Sequence, residues 1–241
     1  MTKIATISRD DSAPLPAAGL DSIRTEIDRI DDALLMLIEE RMAAAHAVAI
    51  AKQSENTGRL NLRPARESQV IDRLAARSEA VPAEGVASIW RALMAVGLQA
   101  QARTEIVVHA AEQPVLVTDQ ARRRFGCSAP LLAACDPEEA LDHARAREAV
   151  AVIEVTPLSG WWIALAGQSD LAIVDCLRDR WGAALALVVG RVGDADRAPG
   201  PRFEIVGEGS LRTRLEAGEP IRPIAMCGHL RLCMVGEGAA R

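Results

Sequence analysis

Apolar residues Leu20, Ile23, Ile27, Ile30, Leu34, Leu37 and Ile38 recur at three- and four-residue steps, the spacing of one helix face. No Pro or Gly interrupts the stretch from Asp21 to Lys52, so the pattern predicts a helix across it. Asp21 is the expected N-cap, with Arg24 and Glu26 in the first turns. At 1.5 Å per residue the helix would run about 48 Å. That exceeds the width of an ordinary small domain, so the apolar stripe needs a partner along its length. A break follows at Ser54 to Pro64, which contains Asn56, Gly58 and Asn61. Pro64 suits the first turn of a second helix carrying Val70, Ile71 and Leu74. A second break, around Pro82, precedes a third helix with Val86, Ile89, Trp90, Leu93, Met94 and Leu98 at helical spacing.

From Glu105 onward the period changes. Short β-rich runs are expected as strands: Ile106–Val108, Val115–Val117, Ala149–Ile153, Ala184–Val189, Phe203–Val206 and Leu230–Met234. Helix-like stretches lie between some of them, at Pro137–Arg147 and Ser210–Ala217. Strands alternating with helices favour an α/β domain. The predicted architecture is therefore multidomain, α followed by α/β. It has a solvated tail at residues 1–19, a three-helix domain at 20–103 and an α/β domain at 104–241. Gly193 to Pro201, rich in Gly, Asp and Pro, reads as a loop inside the last domain.

Composition narrows the function classes. The chain has 241 residues and a net charge of −5, which argues against a general nucleic-acid binder. No apolar run is long enough for a membrane span, and no secretory signal is read at the start, so a cytosolic protein is expected. Cys127, Cys135, Cys176, Cys227 and Cys233 are odd in number and match no zinc spacing. They are expected as reduced, mostly buried thiols. No metal and no cofactor is expected. His46, His229, Glu154 and Asp175 show no partner pattern, and Trp161 and Trp162 are expected as core and rim packing.

Lys52 is one of two lysines in a chain otherwise rich in arginine. Arg41 and Lys52 are eleven residues apart, three turns plus roughly 20°, and so share a helix face. Arg24, seventeen residues before Arg41, falls roughly 100° off it. One straight helix cannot easily aim all three cations into one pocket. A helix paired with its symmetry mate can, if Arg24 serves the partner's pocket.

The segments Leu20–Asp31, Leu34–Arg41 and Ile50–Lys52 resemble the all-helical class of chorismate mutase. So do Arg63-Pro64-Ala65-Arg66-Glu67 with Val70, Ile71 and Leu74, and the run Ile89–Met94 followed by Gln101. The resemblance implies a homodimer of intertwined helices acting on chorismate, a small dianion. By position it implies that Arg41 binds one substrate carboxylate and Arg24 reaches a carboxylate from the other subunit. Lys52 and Gln101 would donate to the ether oxygen of the breaking bond, and Glu67 would accept from the ring hydroxyl. Two positions depart from the family pattern. Gly97 stands where a Ser often contacts a carboxylate, and Arg63 stands where an acidic residue sometimes acts through its main chain. The implied reaction is pericyclic. Charge builds on the ether oxygen as its bond breaks, so donors placed there stabilise the transition state more than the ground state.

Val152-Ile153-Glu154-Val155-Thr156-Pro157-Leu158-Ser159-Gly160 resembles the Ile-Glu-Asn-Ser…Gly segment of prephenate dehydratases. The family's Thr-Arg-Phe motif has no counterpart in Ala184–Val189, and Pro201-Arg202-Phe203 has Pro in place of the hydroxyl. A diverged, inactive dehydratase-like domain is the expectation. Two further readings stay open for the whole chain. One is an isochorismate pyruvate-lyase or amino-chorismate mutase using the same pocket. The other is a non-enzymatic regulatory protein that binds an aromatic metabolite.

Overall fold

The computed structural model describes residues 19–53, 62, 64–101, 103–146, 149–167, 170–191 and 202–236, with backbone alone for residues 49, 51–53 and 65. The expected tail, most of the break before Pro64, and the loop Gly193–Pro201 lie outside the described residues. The chain forms two compact units, one up to Ala44 and one from Ala45.

Helix α1 spans Leu20–Gln53, 34 residues and about 51 Å. It starts two residues before the expected first turn, which would have followed an Asp21 cap. The carbonyl of Gly19 accepts from the N–H of Ile23, which makes Gly19 the capping position. Asp21 is therefore not the N-cap. It lies in the first turn, where its carboxylate faces the positive end of the helix and accepts from Arg24. In the first unit the apolar stripe is uncovered, with Ile27 and Leu34 each 51% exposed and Leu37 56% exposed.

In the second unit, α2 (Pro64–Ala75) begins at the expected proline and α3 spans Ala83–Gln101. Val86, Ala87, Ala95, Gly97 and Leu98 form the buried face of α3, while Ile89, expected on that face, is exposed. Five strands make a mixed sheet in the order β2-β1-β3-β5-β4. They are β1 (Glu105–His109), β2 (Leu131–Ala133), β3 (Ala149–Glu154), β4 (Leu171–Arg178) and β5 (Ala184–Arg191). β1 runs parallel to β2 and β3, with Val107 opposite Leu132 and Ala151. β5 is antiparallel to β3 and β4.

Helix α4 (Pro114–Phe125) corrects one strand assignment. Val115-Leu116-Val117 has the composition of a strand, but Pro114 opens a helix. Val117, Ala121 and Phe125 then form a buried stripe at four-residue steps. Packing of that stripe on the sheet outweighs the β preference of three residues. With α5 (Pro137–Arg145) on the opposite face, each strand side is covered. Val150 and Val152 pack with Phe125 of α4, while Ala151 and Ile153 pack with Leu141 of α5. This is why β3 is buried at every position and reads as a continuous apolar run. The end of α3 shares the α4-side core through Leu98, which clusters with Ile106 and Phe125.

A second, antiparallel sheet has the order β6-β8-β7, from β6 (Arg202–Gly207), β7 (Ile221–Cys227) and β8 (Leu230–Val235). Helix α6 (Glu208–Glu216) connects β6 to β7. Arg214 fastens it, reaching Glu204 at 2.7 Å and Glu219 at 2.6 Å. Trp162, in a short 3₁₀ turn at Trp161–Leu165, is fully buried with Leu187 of the first sheet and Ala225 and Leu232 of the second. Trp161 is half-buried beside it, so the pair divides into core and rim as expected.

The cysteines depart from their expected burial. Only Cys233 is buried, Cys176 and Cys227 are half-buried, and Cys127 and Cys135 are exposed in turns after α4 and before α5. Burial pushes the Cys176 and Cys233 thiols up to about 11. Among the described residues, no helix is long and apolar enough to cross a membrane.

Candidate functional site

The sequence-derived site residues divide between the units. Arg24 and Arg41 lie on α1 in the first unit. Arg24 is exposed and makes a 3.4 Å ion pair with Asp21, while Arg41 is half-buried. The backbone of Lys52 is in the last turn of α1, with its side chain outside the described residues, as is all of Arg63. In the second unit, Glu67 lies in the first turn of α2, Gly97 is buried on α3, and Gln101 is the half-buried last residue of α3. Glu67 and Gln101 make no hydrogen bond to each other among the described residues.

Glu67 has a partner that the sequence did not suggest. Its Oε2 forms an ion pair with Nη1 of Arg124 at 2.8 Å. Arg124 is in the last turn of α4 and donates from Nε to Oδ2 of Asp175 at 2.7 Å. The other Asp175 oxygen accepts from the N–H of Cys176. Arg124, Glu67 and Asp175 are only 13%, 20% and 23% exposed, so this is a mostly desolvated three-member network. Burial works against the charge on Arg124, but Asp175 and Glu67 outweigh it and hold the guanidinium above its usual pKa.

A bulge in β4 places Asp175 here. The register slips between Ile173, opposite Val189, and Asp175, opposite Val188. Ile173 packs on the α5 side of the sheet, whereas Leu177 packs on the α4 side. Strict alternation would put Asp175 on the face of Ile173. The extra residue re-aims it towards α4. Asp175 is thus not the isolated carboxylate that its sequence surroundings suggest. Nor is Glu154, whose Oε2 accepts from the N–H of Glu112 at 2.8 Å.

Beside the network is a cavity of about 370 Å³. α2 contributes Glu67 and Ile71, α3 contributes Arg91, and the sheet region contributes Arg123, Arg124, Asp175 and Arg178. Four guanidinium groups and two carboxylates line the cavity, and Arg123 is already paired with Asp119 at 2.9 Å, so a smaller cationic surplus, from Arg91 and Arg178, is left for a small anion. The run Arg122-Arg123-Arg124 was the one sequence signal for it, and three like charges at a helix C-terminus also read as a solvated end. Among the described residues, no cluster of His, Cys, Asp and Glu could hold a metal ion.

The family model for chorismate mutase type II matches residues 23–102, 80 of the 241 residues. The match covers α2, α3 and all but the first residues of α1, so the helical region matches the chorismate mutase type II domain. The region from Glu105 on lies outside it. No curated protein and no solved structure matches the chain.

Proposed function

We propose that the protein is a chorismate mutase, an intramolecular isomerase that converts chorismate to prephenate in aromatic amino-acid biosynthesis. The observation that carries this reading is the family match over the three helices, within which Arg24, Arg41, Lys52, Glu67 and Gln101 stand in order. Arg41 and the partner subunit's Arg24 clamp the two carboxylates. Lys52 and Gln101 donate to the ether oxygen, and Glu67 accepts from the ring hydroxyl. Gly97 leaves one carboxylate contact to water, and Arg63 acts at most through its main chain. The reaction requires no nucleophile, proton transfer, metal or cofactor. The reading places the enzyme in the cytosol, with a helical domain to residue 103 and a diverged dehydratase-like domain after it.

The deciding experiment is turnover by the full chain with chorismate and isochorismate in parallel. Prephenate formed from chorismate supports the reading. Pyruvate release from isochorismate without prephenate formation replaces it with a lyase acting through the same residues. Phenylpyruvate is not expected when prephenate is supplied, because Ala184–Val189 offers no hydroxyl to assist departure of the ring hydroxyl. Enzyme-dependent phenylpyruvate above the spontaneous rate would show that the second domain is catalytic.

The uncovered stripe of α1 supports a homodimer. Isolated apolar residues on a surface are ordinary, but a continuous stripe over five turns calls for a covering surface. A second α1 supplies one of matching length. Mixing Arg24→Ala chains with Lys52→Ala chains is then expected to restore part of the activity each has lost. A heterodimer holds one pocket with both defects and one with neither. No recovery, once subunit exchange is demonstrated, would rule out a shared site.

A further inference from the structure

The network of Glu67, Arg124 and Asp175 joins the helical region to the sheet region at a residue of the proposed mutase site. The geometry points to Arg124 as a positioning residue for that site: it holds Glu67 in place to meet the substrate's ring hydroxyl. This rests on the reading above, in which Glu67 accepts from that hydroxyl.

Three features carry the inference. The first is the ion pair itself: Nη1 of Arg124 lies 2.8 Å from Oε2 of Glu67, close enough to fix where the carboxylate stands. The second is that Arg124 is itself held. Its Nε is bonded to Asp175, whose other oxygen is fixed by the N–H of Cys176. Moving Arg124 away would leave two mostly buried carboxylates unpaired, a costly state. A free Glu side chain samples many rotamers, and an anchored one is already oriented when substrate arrives. The third is that Glu67 is not shut in. It lines the 370 Å³ cavity, and Arg91 and Arg178 around that cavity favour the approach of a dianion. The β4 bulge, which turns Asp175 towards α4, is thereby part of the mutase site.

The test is steady-state kinetics on the full chain, with chorismate and with an analogue lacking the ring hydroxyl. Arg124→Gln and Asp175→Asn are each measured alone and in a Glu67→Gln background. No bond to the ring hydroxyl changes in the reaction, so its contact is equal in ground and transition states and its loss raises KM. Arg124→Gln is expected to raise KM about tenfold with kcat within about twofold, the scale of one charge-assisted hydrogen bond. In the Glu67→Gln background the same change adds nothing, and the analogue shows no effect. Asp175→Asn keeps the Arg124–Glu67 contact but loosens it, and is expected to raise KM by about a third as much on a log scale. It supplies the measurement if Arg124→Gln does not fold, as judged by circular dichroism. A rise in KM that persists without Glu67, an equal rise with the analogue, or a gain in activity in Arg124→Gln overturns the inference. If chorismate is turned over and Lys52→Ala abolishes it while Arg124→Gln is unchanged, the inference alone falls. If the wild type does not turn over chorismate, the mutase reading falls and the inference with it.

Discussion

Replacing Lys52 with alanine is expected to lower kcat by about 10²–10³, or about 2.7–4 kcal/mol of transition-state stabilisation, the scale for one donor at a developing oxyanion. The rearrangement offers a protein little else to act on. The substrate reacts within itself, and the charge that grows on the ether oxygen is the principal new electrostatic target. Lys52 occupies the position from which the family resemblance has a cation donate to that oxygen, in the last turn of α1. Gln101→Ala is expected to cost less, because its amide carries no net charge. Arg41→Ala should approach the lysine effect, since a substrate carboxylate would lose its partner in the pocket. The check is kcat on purified variants whose circular dichroism matches the wild type. Near-normal kcat in folded Lys52→Ala would remove the mutase assignment.

Trp162→Ala is expected to destabilise the second unit by about 3–5 kcal/mol, the range for deleting a fully buried large aromatic side chain. Trp162 is the largest of the fully buried residues and packs against Leu187 of one sheet and Ala225 and Leu232 of the other. Its indole N–H also donates to the carbonyl of Ser159. Truncation removes the largest side chain of the apolar cluster between the sheets and takes away the indole donor from that carbonyl. A melting temperature lower by roughly 10 °C follows for a chain of this size. Urea unfolding followed by circular dichroism and by near-ultraviolet absorbance gives the measurement. A loss below about 1 kcal/mol would mean that the sheets are held together elsewhere.

Much of the fold was legible because its signals are local. The heptad-like stripe from Leu20 to Ile38 specifies α1, and Pro64 marks the start of α2. β1, β3 and β5 are covered on both faces and so read as apolar runs. The strands that escaped notice have weaker patterns. β2 is three residues long, β4 contains Asp175 and a bulge, and β7 contains Arg222 and Pro223 at a sheet edge where a missing N–H is tolerated. Cys127 and Cys135 follow from their turns rather than from the general preference of cysteine for interiors.

The sequence by itself determined the three helices, the change to an α/β region after Glu105, and the match of residues 23–102 to chorismate mutase type II. Each is written in periodicity or in the order of residues along the three helices, so no long-range packing is needed to read it. Only the tertiary structure decided what Glu67 meets. Arg124 and Asp175 are 51 residues apart, and neither has a neighbour in sequence that announces the other. Ion pairing depends on distance in space, and here that distance is set by α4 packing on the sheet. A single inserted residue in β4 then chooses the face on which Asp175 stands. Strand side chains alternate with a period of two, so one extra residue reverses the face of those that follow, and composition carries no trace of that reversal.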